Sequence, residues 1–164
     1  MNGYGEKQDT VCSTVERFAM VDNGLYRGAQ PDRVMLAALK QQGIRTIVNF
    51  RAEKNLVEQE RQWAQELGLE YVSLPWTIYG PFRKEVFDRF FALLDDPAKR
   101  PIFFHCKRGS ERTGVLAALY AIRYQGASYE EALAEARQYD IKAIWWPFVQ
   151  RKIKQYLAAT EQHS

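Results

Sequence analysis

Ile102-Phe103-Phe104-His105-Cys106-Lys107-Arg108-Gly109-Ser110-Glu111-Arg112-Thr113-Gly114 reads as a buried strand, a tight loop and the start of a helix. Pro101 opens the short apolar run 102–104, the pattern of a parallel strand covered on both faces. The run 115–122 is apolar on every side, as in a helix buried inside a domain. Between the two, five residues separate a cysteine from an arginine. A loop leading from a strand into a helix N-terminus turns several backbone N–H groups into one concavity, where the helix dipole favours an anion. Arg112, in the first helical turn, can set a planar guanidinium against two oxygens of that anion. Cys106, at the strand end, sits below it, and the same field favours its thiolate near neutral pH. A thiolate under a bound tetrahedral phosphate is placed for in-line attack on phosphorus. The competing reading is a buried strand cysteine beside a surface arginine.

Working outward, strands alternate with helices. Gly24-Leu25-Tyr26-Arg27 is a short strand and 28–31 a turn; Asp32 caps a helix that carries Leu36 and Leu39 inward and stops at Gly43. The run 44–50 is a β-rich strand, and 53–67 a charged helix with Leu56, Trp63 and Leu67 on one side, ended by Gly68. A strand at 69–74, a loop at 75–81 and a helix at 83–94 follow. Beyond the central stretch, Ser128 and Glu131 form a capping box for a helix reaching about Tyr139, and Pro147 suits the first turn of a last helix. This order predicts an α/β fold, with a central, mainly parallel sheet flanked by helices on both faces. Ligands of such sheets bind at the C-terminal strand ends, where the loops after Cys106, Phe50 and Leu74 meet.

The 164 residues, 46% of them hydrophobic, are enough for one domain with its own core. A flexible segment is expected at 1–17, a single domain at 18–158 and a tail at 159–164. Two cysteines make no disulfide framework, and Cys12, in the polar N-terminal stretch, reads as a bystander. A net charge of +3 without a long basic run excludes a nucleic-acid protein as the default. No run is long and apolar enough to span a membrane, and 1–17 has no signal-like core. A cytoplasmic monomer is expected, with export open if a leader precedes this sequence. His163 is the only histidine besides His105, so neither a metal nor a cofactor is expected.

His105-Cys106-x5-Arg112-Thr113-Gly114 resembles the signature of the cysteine-dependent protein tyrosine and dual-specificity phosphatases. The order Tyr26-Arg27-Gly28-Ala29-Gln30-Pro31, Asn49-Phe50-Arg51, then the signature, is similar to the compact bacterial and the plant and fungal atypical members, over roughly 18–157. The resemblance implies that the N–H groups of 107–112 cradle phosphate, with Gly109 and Ser110 permitting the turn. Cys106 would then carry the phosphoryl group and Arg112 stabilise the transition state. Thr113 would hydrogen-bond the leaving sulfur, and His105 hold the loop and help set the thiolate. Phosphorylated proteins and inositol phosphates are the implied substrates.

The general acid departs from the pattern. Most of the family carries an Asp about thirty residues before the Cys, and 73–81 holds no acid. Glu111 takes a loop position where the myotubularin-type lipid phosphatases carry an Asp; repulsion from bound phosphate would favour its protonated form. The alternative is that Glu111 points outward and only complements the helix dipole. Lys107 and Arg108 resemble the extra cations of inositol and lipid phosphatases, or else form a solvated pair. Arg51 is expected to face the cleft, Trp76 and Tyr79 to wall it, and Trp145-Trp146 to pack under the last helix. Two other functions stay open. One is a binding module for phosphorylated ligands without turnover; the other is a rhodanese-like sulfurtransferase or arsenate reductase.

Overall fold

The computed structural model describes residues 15–161, so Cys12 and His163 lie outside the described residues. Gly24, at φ +77°, closes the turn that folds Ala19–Asp22 (β1) back antiparallel on Leu25–Gly28 (β2). Asp32 accepts from the Met35 amide at 2.8 Å and starts Arg33–Gln41 (α1), whose Leu36 and Leu39 are buried. Thr46–Asn49 (β3) follows, then Lys54–Leu67 (α2), ended by Gly68 in the left-handed region, then Glu70–Ser73 (β4) and Lys84–Leu94 (α3). The central stretch supplies Ile102–His105 (β5) and Glu111–Tyr124 (α4). Tyr129–Ala136 (α5) begins with the Ser128–Glu131 capping box, and Trp146–Glu161 (α6) closes the described chain.

The sheet runs β1-β2-β5-β3-β4, with β1 the one antiparallel strand among the described residues. Alternation along β5 sends Phe103 to one face and Phe104 to the other. Phe103 joins Leu36, Leu39, Ile47 and Ala64 under α1 and α2. Phe104 joins Phe50, Phe90, Leu116 and Ile153 under α3, α4 and α6. Gly28, His105, Asn49 and Ser73 stand level in register, so four loops leave the sheet at one edge.

Three expectations change. The strand expected at 24–27 is half of a hairpin, because 19–22 pairs with it. Leu56 is 48% exposed; the inward residues of α2 are Val57, Glu60 and Ala64. The segment expected to fray through residue 17 is anchored from Val15, which is buried, and the Glu16 carbonyl accepts from the Ala29 amide.

Candidate active site

Cys106 follows the last residue of β5 and is buried at the floor of a cleft of about 550 Å³. The loop above it is shaped by what holds its carbonyls. The Gln30 amide donates to the Lys107 carbonyl at 3.0 Å, Arg17 Nε to that of Arg108 at 2.6 Å, and Arg27 Nη2 to that of Gly109 at 2.8 Å. In a planar trans peptide the N–H points opposite to the C=O. Three carbonyls tied to the scaffold therefore turn the N–H groups of Arg108, Gly109 and Ser110 the other way, as an anion cradle requires. Gly109 sits at φ +74°, and a Cβ there would come within 2.6–2.7 Å of the Gly28–Ala29 backbone. No side chain fits that approach.

Arg27 has no place in the sequence reading beyond a motif match, yet it is 2% exposed and lies directly under the loop. The Tyr139 ring covers its guanidinium at 3.5 Å. Burial pushes its pKa down to about 10, while Tyr139 and then Cys106 act to raise it, so it is charged at neutral pH. The strand alternation that buries Leu25 also buries Arg27, and that was the signal to read.

His105 is fully buried. Its Nδ1 lies 2.9 Å from the Cys106 carbonyl and its Nε2 2.8 Å from Glu60 Oε2. Glu60, 1% exposed, was also missed, although its spacing with Val57 and Ala64 sets a carboxylate in an apolar stripe. Thr113 Oγ1 and Ser110 Oγ are buried without a partner among the described residues.

Arg112 lines the cleft, and among the described residues its guanidinium makes one hydrogen bond, a long 3.4 Å contact from Nη1 to the Phe50 carbonyl. Lys107 lines it too, and its ammonium has no polar partner among the described residues. Arg108 is not a solvated cation: Nη1 donates to Glu111 at 2.9 Å and Nη2 to Asp140 Oδ2 at 2.9 Å. Glu111 is largely buried and faces the cleft. The second carboxylate of the cleft is Glu53, unanticipated from the sequence. Arg51 holds it through Nε at 3.2 Å and Nη2 at 3.3 Å, and these bonds, aided by Arg112, keep its carboxyl below the usual range.

Two expected cleft residues are elsewhere. Arg51, tied to Glu53 and Gln30, lines a neighbouring groove with Leu56 and Trp63. Trp76 is 3% exposed because Phe50 and Phe87 form an aromatic slot for it, with ring centroids 6.5 and 5.0 Å away. Tyr79 does wall the cleft, tilted against Trp145 at 6.0 Å. Trp145 faces the site and also packs against Phe148 of the last helix, with ring centroids 5.9 Å apart, and Trp146 packs on the core beside it.

Residues 9–145 match the family described as DSP-PTPase phosphatase fused to NAD+ kinase. The chain is 32% identical over 114 residues to the dual specificity protein phosphatase TpbA of Pseudomonas aeruginosa, strain UCBPP-PA14, covering 70% of this chain and 50% of that protein. It is 28% identical over 111 residues to inositol diphosphatase DSP4 of Arabidopsis thaliana, covering 60% of this chain and 52% of that protein. It therefore spans about half the length of these curated relatives. The crystal structure of P. aeruginosa TpbA superposes with a TM-score of 0.72 at 25% identity, over 87% of this chain and 90% of that one. The catalytic core of the PP-IP phosphatase SIW14 from S. cerevisiae shares the fold, with a TM-score of 0.71 at 19% identity over 87% and 86%. Because the matched residues take in all five strands and the whole Cys106 loop, the chain belongs to this family of DSP-PTPase phosphatases.

Proposed function

We propose that the chain is a phosphomonoester hydrolase that works through a phosphocysteine at Cys106. The observation that carries the reading is one cleft holding Cys106 at its floor and, beside it, the Arg112 guanidinium, whose single hydrogen bond among the described residues is 3.4 Å long. The thiolate attacks phosphorus, the bond to the leaving oxygen breaks, and that oxygen takes a proton. Water then releases phosphate and restores the thiolate, with the Thr113 hydroxyl supporting the departing sulfur. The aromatic walls Tyr79 and Trp145 suit a phosphotyrosine ring, and the free Lys107 suits a second phosphate. A TpbA variant has been crystallised with pTyr, and the plant relatives are named inositol diphosphatases. Phosphotyrosine and inositol phosphate monoesters are the proposed substrates, and an inositol diphosphate would be cleaved by the same attack with phosphate as the leaving group.

Glu111 is the proposed acid for the leaving oxygen. Of the two carboxylates in the cleft, Glu53 is held ionised by Arg51 and has no proton to give. Glu111 sits in the anion loop immediately before Arg112 and faces the cleft, a position from which a proton can reach the leaving oxygen. Glu111→Gln is expected to lower kcat on alkyl or inositol phosphates by about 10²-fold or more, the scale of lost acid catalysis. The loss on p-nitrophenyl phosphate, whose leaving group needs little help, should be clearly smaller. Glu53→Gln should leave this contrast as in wild type. An unchanged leaving-group dependence in Glu111→Gln would move the role to another residue.

The two loop cations should separate. Lys107→Ala is expected to cut kcat/KM for an inositol polyphosphate more than for p-nitrophenyl phosphate, by a margin that shrinks as salt is raised. Arg108→Ala, which unties the loop from Asp140, should lower both alike. Equal losses in Lys107→Ala would limit that residue to loop support.

A further inference from the structure

Behind the loop lies a buried pair that none of the proposed steps consumes. We propose that Glu60 is a positioning residue: it shares one proton with His105, holds the positive end of that pair against the Cys106 peptide, and so keeps Cys106 a thiolate. This rests on the phosphocysteine reading only for the role of Cys106 as the reacting atom.

A carbonyl oxygen only accepts, so the 2.9 Å contact to Cys106 puts a hydrogen on His105 Nδ1. The 2.8 Å contact from Nε2 to Glu60 Oε2 needs another, since a bare ring nitrogen and a carboxylate oxygen would repel. The pair therefore holds one proton between its two members and is neutral as a unit. Neutrality is what lets the two side chains be 0% and 1% exposed. The other Glu60 oxygen accepts from Gln30 Nε2, and Gln30 Oε1 accepts from Arg51 Nη1 at 3.2 Å, so the carboxylate cannot swing away. The imidazole end adjoins Cys106 and the carboxylate end lies a ring's width farther off, so the field of the pair favours negative charge on sulfur.

Other charges bear on these two groups. Around the pair, Phe103 stacks on the imidazole, and Tyr71 of β4, with Arg61 beside it, stands near Glu60. Arg27 faces Cys106 from β2; Arg112, Lys107, Arg108, Glu111 and Glu53 share its cleft. Glu60 is the one ionisable side chain hydrogen-bonded to His105 among the described residues.

The test follows the pH dependence of iodoacetamide alkylation at Cys106, read on its peptide by mass spectrometry, which needs no substrate and no turnover. Glu60→Gln keeps size but cannot share the proton. In protein that still melts cooperatively, the alkylation midpoint is expected to rise by about one unit, the lower end for a close charge. His105→Gln should raise it similarly, and the double variant should go no further than His105→Gln alone. An unmoved midpoint in Glu60→Gln, or a shift that persists undiminished in the His105→Gln background, overturns the proposal. If Glu60→Gln does not fold, nitrogen-15 NMR of wild-type His105 decides: no titration between pH 5 and 9 is expected, and an ordinary imidazole titration overturns it. Absent phosphatase activity with a shifted midpoint would sink the function and leave Glu60 in its role.

Discussion

Cys106→Ser is expected to reduce hydrolysis of p-nitrophenyl phosphate to the blank while binding of a phosphotyrosyl peptide is retained. The hydroxyl replaces the thiol with little change of shape, so the cradle and Arg112 are untouched. A serine hydroxyl is a far weaker nucleophile than a thiolate at neutral pH, and among the described residues no carboxylate or imidazole is hydrogen-bonded to the Cys106 side chain to activate its replacement. Removing the nucleophile of a covalent route costs on the order of 10⁶ in kcat where it has been measured in hydrolases. In the wild type, acid quenching during turnover should trap phosphate on sulfur, visible by phosphorus NMR of the denatured protein. Activity in Cys106→Ser that survives a chelator would show that another group attacks phosphorus.

Arg112→Lys should also be costly, though less so than loss of the nucleophile, and although charge is conserved. Among the described residues the guanidinium makes a single hydrogen bond, 3.4 Å long. Lysine offers a point charge where two parallel N–H groups are needed for two equatorial oxygens. Loss of a preorganised donor of this kind lowers kcat by roughly 10²–10³-fold. Competitive inhibition by inorganic phosphate should weaken in parallel. A variant within a few-fold of wild type would mean that the loop amides alone bear the transition-state charge.

The strand, loop and helix at 102–124 were legible because their signals are local: an apolar run, a turn glycine, then a second apolar run. So was the Asp32 cap, where a side chain answers an amide three residues away. Arg27 and Glu60 were not, since each acts through a partner distant in sequence; Glu53 is held by Arg51 two residues away, but the cleft it enters is built from residues far along the chain. Arg27 meets a carbonyl 82 residues on, and Glu60 a histidine 45 residues on. Trp76 was misplaced because a loop position says nothing of the slot that Phe50 and Phe87 leave open. Arg51 was one residue-pair from correct: it follows the strand that feeds the cleft, but Glu53 takes the facing position and Arg51 holds it there.

The tethered carbonyls of 107–109 also settle when the chain gives up its freedom. Fixing one residue's backbone costs roughly 1–2 kcal/mol of conformational entropy. A slack loop that had to order residues 107–110 on contact would forfeit roughly 4–8 kcal/mol, about three to six powers of ten in affinity. Arg17, Arg27 and Gln30 complete that ordering during folding. An ion as small as phosphate, with few contacts to offer, therefore meets a cradle already formed and spends its binding energy on chemistry.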